Sequence, residues 1–213
     1  MKNKTTIMTT IICLLPLIIS LVVYDKLPDQ IAVHFDSAGN PNNYMHKAIA
    51  AFGLPFLFMA INLYTHFRVN KDPKVQNASN ALKTISKWAT PVVSVVVVPV
   101  TLFMSMGAVI PIPMIVTALV GIIIVLCGNY LPKCKRNYTV GIKLPWTLDN
   151  EDNWFKTHRF AGFIWVIGGI VITVNAFLSI PYVSICVPVV LVVGPFAYSY
   201  LYYRNHMAAE ARK

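Results

Sequence analysis

The chain alternates between apolar runs long enough to cross a bilayer and shorter polar connectors. A first apolar run covers residues 6–24, behind the polar start MKNK. It begins like a signal peptide, but it is long and no small-x-small cleavage site precedes Tyr24, so it is read as an uncleaved first span. Polar residues 25–47 separate it from a second run of about 48–67, and a Lys-bearing connector, 68–87, leads to a third of about 88–108. Ile110-Pro111-Ile112-Pro113 predicts a tight turn, because proline lacks the N–H that a helix needs. A fourth run reaches about Leu131, a fifth covers 160–178 after a long polar stretch, and a sixth ends near Tyr203 beyond a short Pro-containing turn at 179–182. A helix needs about 20 apolar residues to cross the hydrocarbon core. The pattern therefore predicts an all-α membrane protein with six transmembrane helices, a short strand-like outer loop and a structured cytoplasmic loop.

Composition agrees. Hydrophobic residues make up 56% of the chain and charged ones 12%, about half the usual share in soluble domains. The net charge of +10 changes meaning once it is placed. With the N-terminus inside, only Lys26 and Lys47 of the 18 Lys and Arg residues fall outside; the inner side takes the rest, including Arg68, Lys133, Lys135, Arg136, Arg159, Arg212 and Lys213. That asymmetry predicts an N-in/C-in topology, with Cys134 inside and Ser37 outside. The basicity is then topology plus attraction to anionic lipid headgroups, and direct nucleic-acid binding is unnecessary. Tyr198, Tyr200, Tyr202 and Tyr203 fit an interfacial aromatic belt.

Cys13, Cys127 and Cys186 lie in apolar runs and Cys134 in the basic loop, with no paired spacing, so they read as buried small residues. Pro16, Pro55, Pro91, Pro99, Pro188 and Pro195 fall within spans, which membrane helices tolerate. Asn62, Gly168, Gly169 and Asn175 read as helix-contact positions. No Asp, Glu, Lys or Arg stands at a span centre, which weighs against an ion-coupled transporter. Pro-kinked helices still leave a small-molecule transporter or channel component as the alternative reading. The expected division is a two-helix region at 1–67 with the outer loop, a connector with the third span at 68–113, spans four to six at 114–203, and a cytoplasmic tail at 204–213.

Two polar segments carry the candidate chemistry. In the first, Ile31, Val33 and Phe35 alternate with Gln30, Ala32, His34 and Asp36, the period of a half-buried strand. Residues 37–43 then predict a turn set by Gly39 and Pro41. So short a strand must lean on helix ends. His34, Asp36 and His46 match no metal-ligand spacing, and no metal or other cofactor is called for.

The second segment starts at Asn129 and Tyr130, with Pro132 stopping the fourth helix. Residues 138–145 read as extended chain with a turn at Gly141. Thr147 or Asp149 is placed to cap a new helix, with Asp149, Glu151 and Asp152 at its positive end. Trp154, His158 and Ala161 or Gly162 share one face of it, while Asn150, Asn153 and Lys156 are expected to face water. The helix should run straight into the fifth span with Arg159 at the interface, since a mid-membrane charge costs about 2.5–3.5 kcal/mol. His158 lies near Glu151 and Asp152, but no nucleophile elbow, metal spacing or phosphate loop accompanies it, so binding is favoured over catalysis.

LPDQIAVHFDSAGNPNNYMHK resembles the LP-x-x-IP-x-HF-x-x-x-G-x-P motif of an N-terminal membrane domain in bacterial immunity proteins. The later stretch is similar to their second motif, GNYLPK, NY-x-x-GI-x-x-PWTL and W-x-x-THR-x-x-G. Both motifs, in this order, resemble the SdpI family, which protects bacteria against a secreted sporulation-delay-type toxin peptide. Ala32 stands where Pro is usual, Arg136 replaces a common Pro, and Lys143-Leu144 a common Arg-Thr. The resemblance implies an immunity protein of the bacterial cytoplasmic membrane whose outer His34, Phe35, Asp36, Gly39 and Pro41 face the toxin. It implies an inner motif of Asn129, Tyr130, Pro132, Asn137, Tyr138, Gly141, Pro145, Trp146, Thr147, Trp154, His158 and Arg159. It further implies that a cytoplasmic winged-helix autorepressor is captured when toxin is present; Lys133, Lys135 and Arg136 offer a contact for it or for lipid headgroups.

Overall fold

The computed structural model describes residues 2–36 and 39–210. Ser37 and Ala38 of the expected turn, and Arg212 and Lys213 of the charge pattern, lie outside the described residues. Among the described residues, six helical stretches are long and apolar enough to cross a membrane: Lys4–Lys26, Ile49–Lys71, Asn80–Ser105, Ile112–Lys133, Glu151–Leu178 and Val183–Asn205. The chain is thus a multi-pass, all-α membrane protein with one small sheet. Leu21, Val22, Phe163 and Phe177 are exposed on these helices, as lipid-facing residues should be. Each expected span is present, but three are longer than their apolar runs. The second continues to Lys71, the third begins at Asn80, and the fifth begins at Glu151. Hydropathy marks where a helix crosses lipid, and says nothing of where its polar end stops. The expected connector shrinks accordingly to residues 72–79.

The chain forms two compact units. The first joins the described residues up to Phe67 with Ser86–Leu119. Here α1 (Lys2–Leu14) and α2 (Pro16–Val23) meet at Leu15. Pro16 has no N–H to give, and the chain tightens there, with Leu15 N–H bonded to Ile12 O at 3.2 Å. A hairpin follows: β1 (Gln30–Phe35) pairs antiparallel with β2 (Pro41–His46), Gln30 opposite His46 and Ala32 opposite Tyr44. Ile31 is fully buried among Val23, Leu27, Ala50, Ala51, Val98 and Leu102, with Val33 and Met45 packed alongside. The strand does lean on helix ends. The second strand was not foreseen, because Pro41 to Tyr44 are all exposed and carry no buried alternation; pairing alone makes them a strand.

A π-helical turn, Ile49–Gly53, opens α3 (Leu54–Lys71), and Ser20 Oγ donates to Ala51 O in that turn at 2.6 Å. The helix α4 (Asn80–Ser105) accommodates Pro91 and Pro99, and its Ser94 Oγ donates to Cys13 O at 2.9 Å. Between α1 and α3 lies a buried polar knot that the apolar pattern concealed. Asn62 Nδ2 donates to Thr9 and Thr10, and the His66 ring nitrogens meet Thr6 and Thr9 at 2.9 and 3.0 Å. Such bonds replace water that the membrane cannot supply.

The second unit joins Arg68–Ile85 with the described residues from Val120 on. Its spans come from α5 (Ile112–Tyr130), α7 (Glu151–Leu178) and α8 (Val183–Glu210). Glycines seven residues apart on two helices bring α5 and α7 together. A Cβ on Gly128 would stand 2.8 Å from Trp165 Cβ, and one on Gly169 2.8 Å from Gly121 O. Gly162 packs on Pro132 in the same way, at 2.6 Å. Helix-contact roles hold for Gly168 and Gly169, while Asn175 ties the turn to α8 through Ile180 and Ser184.

Candidate functional site

In the hairpin, most polar side chains are exposed, and the bonds described among them are to near neighbours. His34 Nδ1 meets Asn42 Oδ1 across the strands. Asp36 accepts from the Asn40 N–H at 2.8 Å and from its amide at 3.2 Å, while Asp36 N–H donates to Asn40 O. Gly39 takes φ +87°, the left-handed region that glycine enters freely, and its N–H donates to Asp36 O. Phe35 is half-buried opposite Pro41, with His34 exposed beside it. His46 is committed elsewhere, accepting from Ala48 N–H. Alternation sets Ile31 and Val33 toward the core, so Gln30, Ala32 and His34 of β1 share the outward face with His46 and Tyr44. Tyr44, 54% exposed, was not singled out by sequence reasoning. An aromatic inside the polar run PNNYMH was the available signal.

The second motif is built in the opposite manner. After α5, the turn Leu131–Lys133 leads to Cys134. Asn137, fully buried, folds the chain around its own amide: Oδ1 accepts from the N–H groups of Thr139 and Val140, and Nδ2 donates to Lys135 O at 2.9 Å. Gly141 follows at φ +115°, pressed against the rings of His158 and Trp154 so that any Cβ would strike them. Ile142 N–H donates to His158 Nε2 at 3.0 Å, and His158 Nδ1 lies 2.7 Å from Trp154 O. An amide can only donate, so Nε2 is the acceptor and the imidazole proton sits on Nδ1. Trp154 stacks on that ring at 3.9 Å and donates its indole N–H to Cys134 O at 2.7 Å. Both nitrogens of His158 are thereby spent on the backbone, which leaves the ring no free position for proton transfer.

The short helix α6 (Pro145–Asp149) is pinned from three sides. Thr147, fully buried, accepts from Leu144 N–H. Trp146 donates to Ser199 Oγ and packs among Phe196, Tyr200 and Tyr203 of α8. Arg136 donates one guanidinium nitrogen to Leu148 O and Asp149 O, closing the helix end. The α7 cap is Asn150, whose side chain accepts from Asn153 N–H at 2.8 Å, in place of the expected Thr147 or Asp149. Asn153 does not face water as expected: it is buried, and its amide donates to Ser199 O at 3.0 Å. Trp154, His158 and Ala161 are buried on one face, and α7 runs unbroken into its span, both as expected.

Sequence reasoning missed the part played by the connector. Asp72, nearly buried, accepts from the N–H groups of Lys74 and Tyr138 at 2.8 and 3.0 Å. Asn77 donates to Arg136 O, and Lys135 N–H donates to Asn77 O. Asp-Pro-Lys at 72–74 is a turn signal, and it was obscured by the surrounding lysines. Of the remaining motif residues, Asn129, Tyr138, Pro145 and Arg159 have exposed side chains. Lys133 lies over the Tyr130 ring and Lys135 is exposed, whereas Arg136 is half-buried and its guanidinium is bonded to the carbonyls of α6. Cys134 is buried, and burial pushes its thiol up, partly offset by hydrogen bonds from Ser79 and Asn137. A protonated, covered thiol reports nothing about which side of the membrane it is on.

Residues 133–199 match the model of the SdpI/YfhL protein family, and residues 11–59 that of a domain of unknown function (DUF1648). The immunity protein SdpI of Bacillus subtilis (strain 168) is 27% identical over 206 residues, covering 95% of this chain and 97% of that protein. The chain is thus similar to the SdpI/YfhL family over residues 133–199, and to the immunity protein over nearly its whole length. No solved structure matches it. The SdpI/YfhL match begins where α5 ends and closes at Ser199, the residue that receives both Trp146 and Asn153. The earlier match takes in the whole hairpin. With six apolar spans among the described residues, this chain is a multi-pass bacterial membrane protein.

Proposed function

We propose that this chain is a membrane immunity protein that gives its cell resistance to a secreted antimicrobial peptide. The observation that carries the reading is near-full-length similarity to a protein named for immunity, with both matched segments present in one chain. The charge asymmetry and the even number of spans support an N-in/C-in orientation. The hairpin then faces outward and the second-motif loop faces the cytoplasm. His34, Pro41 and Tyr44 meet the toxin peptide, because they are exposed on the outer segment, with the half-buried Asp36 and Gly39 beside them. The loop has a second role, capture of a cytoplasmic autorepressor, with Lys135 as its exposed contact. Arg136 is excluded from that contact, since it closes α6.

The test is a survival curve against the secreted peptide in a sensitive strain, with and without the chain, beside a reporter of the repressor's promoter. Expression of the chain should raise survival. Lys135→Glu should silence the reporter response and leave survival unchanged, while His34→Ala should lower survival. Unaltered killing at normal protein levels rejects the immunity reading. Equal loss of resistance and signalling in Lys135→Glu rejects the division between the two segments.

A further inference from the structure

A cleft of about 620 Å³ lies beside the first turn of α7, backed by Cys134, Arg136 and Trp154 of the hydrogen-bonded loop. It lies between the chain leaving α5 and the start of α7, so it opens where two spans end, at Lys133 and Glu151. Its apolar wall is Pro132, Trp154 and Phe155, and Phe155 is 52% exposed. Its rim carries both signs of charge. Lys135 and Glu151 are exposed and have no side-chain partner among the described residues, and Lys133 rests only on the Tyr130 ring. The other rim charges are engaged: Arg136 with the carbonyls of α6, and Asp152 with Lys156 and Tyr202.

We propose that this cleft holds the headgroup of phosphatidylethanolamine. The lipid phosphate sits at the ammonium groups of Lys133 and Lys135, its own ammonium at the Glu151 carboxylate, and its glycerol end against Phe155. An anion alone would face the uncompensated Glu151 carboxylate, and a cation alone would face two lysines. A molecule carrying both charges satisfies both sides of the rim. A primary ammonium also donates charge-assisted hydrogen bonds to a carboxylate, which the quaternary ammonium of phosphatidylcholine cannot do. The proposal does not depend on the immunity reading.

The experiment is native mass spectrometry of the full-length purified chain, offered phosphatidylethanolamine, phosphatidylcholine and phosphatidylglycerol in equal amounts. Phosphatidylethanolamine should be retained about tenfold over each of the others, a difference of about 1.4 kcal/mol. Glu151→Gln should erase that preference, and Lys135→Gln should lower occupancy by all three lipids. Both side chains are exposed, so thermal melts should match the parent. Glu151→Lys with Lys135→Glu, which keeps the charge count and reverses the polarity of the rim, gives a second reading if either single variant loses stability. It should retain the headgroup less well than the parent. Inorganic phosphate should not displace the bound lipid. Equal occupancy by the three lipids, or a preference that survives Glu151→Gln, overturns the proposal.

Discussion

The hairpin and the second-motif loop are both polar segments flanked by membrane helices, yet they use their polar side chains in opposite ways. In the loop, Asn137, Thr147, Asn153, Thr157 and His158 are buried, and each is bonded to backbone or to another buried side chain. In the hairpin, His34, Asn42, Asn43, Tyr44 and His46 are exposed, and the bonds they make are short-range. A buried polar group left without a partner costs about 1–3 kcal/mol, so every member of the loop network is constrained by the rest. An exposed group carries no such penalty and is available to a ligand. The loop motif therefore specifies an architecture, and the hairpin motif presents a surface.

That contrast can be broken most easily at Trp154. Trp154→Ala removes a buried ring and the indole bond to Cys134 O, and should cost about 3–5 kcal/mol. A large part of a marginal fold's stability would go, read as lost accumulation and a lower melting temperature in detergent. Normal accumulation would show that the loop is not held by this ring. His158→Ala comes next. It strips the acceptor from Ile142 N–H and should cost about 1–3 kcal/mol, read by the same melt. Substitutions on the hairpin's outward face should be nearly silent there. His34→Ala and Tyr44→Ala should each move stability by less than about 0.5 kcal/mol. A large drop in either would mean that the face is packed.

Labelling sharpens the comparison with the smallest perturbation. Cys134 should resist thiol alkylation at neutral pH even in permeabilised cells, since its thiol is buried and held protonated. Lys135→Cys, one residue on and exposed, should react in permeabilised cells and be spared in intact ones. Labelling of Lys135→Cys in intact cells would reverse the proposed orientation.

Much of this was legible in the chain, for reasons that differ between residues. The spans follow from apolar runs, and the Trp154/His158 face from helical spacing, because burial in one direction leaves a period. Asn153 was misplaced because an amide reads as solvent-facing unless its partner is known, and that partner, Ser199 O, lies 46 residues away. Arg136 was read as a free charge for the same reason, although its acceptors are the carbonyls that end α6. β2 escaped because a strand made by pairing, with no buried face, leaves no alternation. Long-range hydrogen bonds from polar side chains have no period, and they are what assembles this loop.

The most direct test measures resistance per unit of folded protein for His34→Ala with Tyr44→Ala, beside His158→Ala, in one strain and against one peptide. The double hairpin variant should accumulate and melt like the parent while survival falls. His158→Ala should lose survival only in proportion to the folded protein that it loses. A hairpin variant that keeps full resistance, or a well-folded His158→Ala chain without resistance, would contradict the assignment of surface to one segment and scaffold to the other.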